Sequence, residues 1–180
     1  MAIKKIVKMG NELLATPSLP LENFEQYGRS YPGLSQLIND MMDTMAEEGG
    51  VGIAAPQIGC NLRVIMFGFD KNERYPDEDA IPLTILINPV IKVLSDEMND
   101  AWEGCLSVPG LRGLVSRYNK IEYSGFDPDG NRISCIAQEF HARCVQHECD
   151  HLDGILYPQR LKDLRYFGFE DELKLFSTGS

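Results

Sequence analysis

Apolar positions recur every three or four residues in two parts of the chain. Between residues 33 and 48 they fall at Leu34, Leu37, Ile38, Met41, Met42 and Met45, the spacing of a helix with one buried face. The methionines there read as core packing. Between residues 137 and 151, Phe140, Cys144, His147 and His151 repeat the same steps and predict a second helix. Gly154 stands just past that run as a stop signal, and Pro158 hinders continuation. Between the two helices the pattern changes. Residues 62–69 and 83–93 are rich in β-branched and aromatic side chains and predict strands. Residues 121–126 and 132–136 flank Asp127-Pro128-Asp129-Gly130-Asn131, whose turn formers predict a hairpin. Residues 11–23, with Pro17 and Pro20, read as an extended surface segment. An early helix, a run of strands and a late helix together predict an α+β fold, with antiparallel β-sheets packed around a central helix.

The second helix carries chemistry. It contains His147-Glu148-Cys149-Asp150-His151, and the chain has one other histidine, His141. Residues four apart share a helix face, so both imidazoles can turn to one metal ion. Glu148 lies beside them, placed to handle the proton of a water that the ion activates. Such a catalytic metal usually takes three protein ligands and keeps one position open. A histidine three residues after Gly154 would complete one zinc-protease pattern, but Tyr157 stands there. A downstream glutamate would have to be Glu170 or Glu172, in a short acidic tail with little structure to hold it. An upstream cysteine thiolate is the strongest remaining donor. Of the five cysteines, Cys60, Cys135, Cys144 and Cys149 lie in apolar or helical surroundings and read as small buried hydrophobes. Cys105 differs, because Trp102-Glu103-Gly104-Cys105-Leu106-Ser107-Val108-Pro109-Gly110 is a turn punctuated by glycine and proline. Glycine there lets the backbone come close to an ion. His141 lacks a ligand partner at the right helical step and reads as structural.

A third segment runs from Gly49 through Val51, Ile53 and Gln57 to Gly59. It lacks the Gly-Lys-Ser/Thr of a phosphate loop and the third glycine of a dinucleotide fingerprint. Its small residues suit a strand edge that a peptide can approach, with the Gln57 amide at its end. The runs Gly50-Val51-Gly52-Ile53-Ala54-Ala55-Pro56-Gln57, Glu103-Gly104-Cys105-Leu106-Ser107 and Gln146-His147-Glu148-Cys149-Asp150-His151-Leu152 resemble the three motifs of the peptide deformylase family in order and spacing. The resemblance covers about residues 3–165.

That resemblance implies an α+β fold built around the H-E-x-x-H helix. It also implies a metal-dependent hydrolase that removes the formyl group from the formyl-methionine of newly made polypeptides, releasing formate. Cys105, His147 and His151 are then expected to hold one ferrous ion (Fe2+), which zinc, nickel or cobalt can replace in preparations. Glu148 is expected to carry the proton, and the Gln57 amide and the Leu106 N–H to donate to the developing oxyanion. The formyl-methionyl chain is expected to lie as an added strand along Gly50, Val51 and Gly52. Its methionine would enter a pocket near Val51, Leu106, Phe140, Arg143, Cys144 and His147. Arg143 departs from the wholly apolar lining implied there. Its alkyl stem can line the pocket with the head in water, or the head can pair with a carboxylate behind the ligands. Glu103 reads as a carboxylate that orients a ligand, with Arg112 as its partner, or as half of an ordinary surface ion pair.

Composition narrows the picture further. The 180 residues fit one catalytic domain, 1–180, with about 161–180 as a short tail. No apolar run reaches membrane-spanning length, and the start from Met1 to Lys8 lacks the apolar core of a secretory signal. An odd number of cysteines, one committed to metal, favours the reducing bacterial cytoplasm over a disulfide framework. Seventeen basic against 27 acidic residues give a net charge of −10, which disfavours nonspecific nucleic-acid binding. The segment 167–174 is net acidic, so strong attraction of this tail to ribosomal RNA phosphates is not expected, and association with the ribosome is expected to be transient or to use another surface. The densest acidic run, Asp77-Glu78-Asp79 after 71–74, reads as a solvated loop. A zinc endopeptidase lacks its third ligand here, and a metal-binding protein without catalysis would not need Glu148.

Overall fold

Two antiparallel sheets with a long helix between them make up the computed structural model, which describes residues 3–72 and 75–173. Glu73 and Arg74 of the acidic loop, the first two residues of the amino-terminal segment and the last seven of the tail lie outside the described residues. In chain order the elements are α1 (Phe24–Tyr27), α2 (Leu34–Glu47), β1 (Gly52–Ala54), β2 (Val64–Phe69), β3 (Ile81–Val93), β4 (Met98–Cys105), β5 (Val108–Tyr118), β6 (Lys120–Phe126), β7 (Arg132–Gln138), α3 (Glu139–Leu152), β8 (Phe167–Phe169) and α4 (Glu170–Leu173). One sheet has the order β1-β2-β3-β6-β7 and the other β4-β5-β8. Among the described residues no helix is long and apolar enough to cross a membrane.

Helix α2 follows the expected stripe. Leu34, Leu37, Met41 and Met45 are buried against Ile53, Val64 and Met66. Each such side chain contributes about 1.5–3 kcal/mol when fully buried. Met42 falls off that face and is exposed, so it is not the core methionine the spacing suggested. Strands β2, β3, β6 and β7 form where the β-branched runs lie. The β6–β7 turn is locked by Asp127, whose carboxylate accepts the N–H groups of Asp129 and Asn131. On β7, Cys135 points outward and is exposed, contrary to its reading as a buried hydrophobe.

Two elements differ from the sequence reading. The expected turn around Cys105 is the tip of a long hairpin, with β4 and β5 paired from Met98↔Tyr118 to Cys105↔Val108 and a register shift between Glu103 and Cys105. Its glycines and Pro109 hide the strand signal, and only pairing between the two arms makes strands of them. The tail is also more ordered than expected. Phe167–Phe169 adds to β5 as a third strand, and Arg112 pairs with Glu170 at 3.0 Å rather than with Glu103. Residues 11–23 open with a 3-10 turn, Glu12–Ala15, before running extended to a parallel bridge between Leu19 and Leu62.

Helix α3 packs on β1 and β2 on one side and on β5 on the other. It starts at Glu139, since Ala137 still belongs to β7. The turn after it uses Gly154 at φ +72, where an added Cβ would lie 2.8 Å from the Ala15 carbonyl carbon. That close approach ties the end of the histidine helix to the amino-terminal segment.

Candidate metal centre and cleft

The site forms where the β4–β5 hairpin tip meets the core-facing side of α3. Cys105 Sγ, His147 and His151 offer ligand atoms that all lie within 4.8 Å of one another. Cys105 Sγ is 3.3 Å from His151 Nε2. The four-residue step puts both rings on one side of α3, with ring centres 5.1 Å apart. His147 Nδ1 lies 2.9 Å from Glu103 Oε2, a contact that orients the ring and turns its Nε2 edge away from the carboxylate. Burial holds His151 well below its ordinary pKa, with the nearby His147 adding to the effect. A neutral imidazole is the form that binds a cation. One cysteine sulfur and two imidazoles converging in this way fit a divalent transition metal.

Glu148 lies between the two histidines in sequence and is buried, and its Oε2 has no hydrogen-bond partner among the described residues. Burial, reinforced by the nearby Glu103 charge, raises its carboxyl to about 7, against the opposing pull of His147 and Arg117. A carboxyl held there can gain or lose a proton near neutral pH. Gly52 of β1 faces this carboxylate so closely that a side chain there would overlap it.

Gln57 sits in a 3-10 turn, Ala55–Ile58, just after β1, and is 1% exposed. The Ala54 N–H donates to its Oε1 at 2.8 Å, so its amide nitrogen turns to Ser107 Oγ at 3.2 Å and Cys105 Sγ at 3.5 Å. The donor is thus aimed at the ligand cluster by a backbone bond.

The cleft beside these groups is lined by Gly49–Gly52, Gln57, Glu103–Leu106, Phe140, Arg143, Cys144, His147 and Glu148, together with Tyr75. Every residue expected at the site therefore lines this cleft except His151, which stands beside Cys105. Gly50 and Leu106 face each other across a narrow part, since a Cβ on Gly50 would stand 3.3 Å from Leu106 Cδ1. Tyr75 was not legible as a site residue. It comes from the acidic loop and packs on Phe140 with centroids 4.7 Å apart, and no local pattern marks it. His141 is in neither the ligand cluster nor the cleft lining and packs against the rings of Phe67 and Tyr123.

Behind the ligands lies a second feature that was only half legible. Glu103 contacts His147, one of the candidate ligands, and its bidentate cationic partner is Arg117 rather than Arg112, with bonds of 2.9 Å from Nε and from Nη2. Burial would push the Glu103 carboxyl up, but the bonds from Arg117 and His147 hold it well below the usual carboxylate range. Arg143 takes the second of its two expected roles and pairs with Glu103 at 2.7 Å. Arg117 also bonds Asp150, which is held in turn by the partly exposed Arg160.

A cysteine at a hairpin tip beside two histidines of a buried helix, with a buried carboxylate and an amide aimed at the cluster, is the arrangement of a metal-dependent hydrolase. The sequence matches the polypeptide deformylase family over residues 3–166. The chain belongs to that family, whose enzymes remove the formyl group from N-formyl-methionine peptides. It is 57% identical over 171 residues to peptide deformylase 1 of Bordetella pertussis, covering 95% of this chain and 94% of that one. It is 55% identical, with the same coverage, to peptide deformylase 2 of Ralstonia nicotianae. Its fold matches the Met-Ala-Ser-bound class I type b peptide deformylase of Acinetobacter baumannii with a TM-score of 0.83 and 38% identity, over 89% of this chain and 99% of that one.

Proposed function

We propose that Cys105, His147 and His151 hold a single ferrous ion and that Glu148, Gln57 and the Leu106 N–H carry out deformylation around it. The observation that carries this reading is the convergence of one thiolate and two imidazoles within 4.8 Å. A divalent ion supplies a Lewis acid for the formyl oxygen and lowers the pKa of a water from about 15.7 towards about 7. Glu148 takes the proton of the attacking water and delivers it to the amine as the C–N bond breaks, giving formate and a free α-amine. Gln57 Nε2 and the Leu106 N–H donate to the oxygen as it gains charge, each such donor stabilising the transition state by roughly 3–4 kcal/mol.

The peptide lies against Gly50, Val51 and Gly52. β1 is an edge strand of its sheet, and strand addition reads backbone without regard to sequence. Val51, Leu106, Phe140, Cys144 and the stem of Arg143 receive the methionine side chain. The Met-Ala-Ser bound to the Acinetobacter relative supports a peptide that begins with methionine as the ligand. Residues 1–180 work as one catalytic unit in the bacterial cytoplasm, meeting nascent chains in transient encounters at the ribosome.

The test is formate release from formyl-Met-Ala-Ser by the native protein and by Glu148→Ala, with bound metal measured in both. Glu148→Ala keeps its metal and loses more than about nine-tenths of the activity, since it removes the proton carrier and leaves the ligands. His147→Ala loses both. Retention of activity by a metal-loaded Glu148→Ala would remove Glu148 from the proposed role.

A further inference from the structure

Arg143 occupies a place where an apolar side chain would complete the methionine pocket beside Phe140 and Cys144. It is instead 5% exposed, and both terminal nitrogens of its guanidinium donate hydrogen bonds. Its Nη1 donates to Glu103 Oε1 at 2.7 Å and to the Val115 carbonyl at 2.9 Å, and its Nη2 donates to the Asn99 carbonyl at 2.6 Å. All three acceptors belong to the β4–β5 hairpin, the element that ends in Cys105. Arg143 itself stands one helical step before His147, so the two side chains rise from the same side of α3. They grip the two oxygens of one carboxylate, Arg143 on Oε1 and His147 on Oε2.

The proposed ligands come from two independent elements, a hairpin tip and a helix, and their relative position has to be fixed by contacts between those elements. Glu103 is where they meet. Arg117 holds both oxygens of the carboxylate, but it stands on the same hairpin as Glu103 and so does not by that bond tie the hairpin to the helix. Arg143 supplies a second fixed cation from the other element. Arg143, Glu103, Arg117, Asp150 and Arg160 then alternate in sign from the cleft to the surface. Stability does not account for this arrangement, since buried ion clusters are often replaced by apolar groups of similar volume at no loss. Positional control does account for it, because a guanidinium fork defines direction as well as charge.

We infer that Arg143 is a positioning residue that locks the Cys105 hairpin to the histidine helix through Glu103, and thereby sets how tightly the metal is held and how well the centre stabilises the transition state. The inference rests on the ligand set proposed above. It is tested with Arg143→Met and Arg143→Lys beside the native protein, each loaded with cobalt. Four quantities are read: metal release to excess chelator, the cobalt ligand-field spectrum, kcat and KM for formyl-Met-Ala-Ser, and the unfolding temperature.

Loss of a group that orients a ligand typically costs 10–100-fold in metal affinity or activity. Arg143→Met therefore releases metal about 10–100-fold faster, shows shifted cobalt bands, and loses kcat by a similar factor with KM changed by less than about threefold. Arg143→Lys, which keeps the charge without the fork, falls between. A folded Arg143→Met with native metal release, spectrum and kcat overturns the inference, and so does a rise in KM alone, which would make Arg143 only a pocket wall. If Arg143→Met does not fold, Arg143→Lys decides: faster release than native supports the inference and native release overturns it. A native protein that binds no metal or releases no formate would instead refute the proposed site.

Discussion

Gly52→Ala probes the site with a single methyl group. The glycine needs no unusual backbone, so alanine brings no dihedral strain, and the effect comes from space alone. An added Cβ would sit 2.8 Å from Glu148 Cδ and 3.0 Å from its Cγ, against ordinary contacts of 3.4 Å or more, with the Oε1 atom closer still. The Glu148 carbon must therefore move by about 0.6 Å (3.4 less 2.8) and its oxygen by roughly 1 Å, or β1 must retreat by as much. Glu148 is buried, as are Ile53 and Ala54 of β1, and β1 is held to β2 by three paired residues, so relaxation is resisted. A misplacement of about 1 Å at a reacting group can cost roughly 100-fold in rate, which is about 2.7 kcal/mol in the barrier. The cost in stability should be the smaller effect, about 1–3 kcal/mol for one extra methyl in a packed region.

The assay is formate release under saturating formyl-Met-Ala-Ser, with bound metal and unfolding temperature measured on the same sample. Gly50→Ala is the control. Its Cβ would meet Leu106 Cδ1 and the Gly52 carbonyl at 3.3 Å, a contact that a few tenths of an ångström relieve. We expect Gly52→Ala to lose about 100-fold in kcat with its metal retained, and Gly50→Ala to lose less than tenfold. If a folded, metal-loaded Gly52→Ala kept more than about a third of the native kcat, the Glu148 carboxylate could not be working from the position seen here.

Gln57→Leu should reduce kcat by about 100–1,000-fold with little change in KM, because its amide acts on charge that appears only in the transition state. A raised KM with native kcat would make Gln57 a substrate-binding group only. Protein loaded with iron and assayed in air should lose activity over time as the metal and the Cys105 thiolate oxidise, whereas nickel should protect and zinc should support less activity. Parallel assays of the three metal forms with and without oxygen check this, and an oxygen-stable iron form or a zinc form as fast as iron would contradict the assignment of ferrous iron.

The chemistry of this protein is concentrated in short runs of residues, and that part was determined by sequence. A four-residue step on a helix fixes the relation of His147 to His151 and of both to Glu148 wherever the helix lies, because helical geometry is local. The same holds for the stop at Gly154 and the hairpin turn after Asp127, where backbone permissiveness and side-chain capping act within a few residues. What lay between elements needed the tertiary structure. Strands β4 and β5 exist because the two arms pair, and their glycines and Pro109 carry no signal of it. Phe167–Phe169 is a strand only because β5 offers it an edge. Arg112 and Arg117 stand in one strand, and nothing in their spacing says which of them reaches Glu103. The fold gives Glu103 to Arg117 and Arg112 to Glu170. Arg143 could equally have reached water from the pocket rim, and its burial against the hairpin decides otherwise. Ion-pair choice and strand partnership depend on distances across the chain, 40 residues in the case of Arg143 and Glu103, and such distances are set only when the whole core closes.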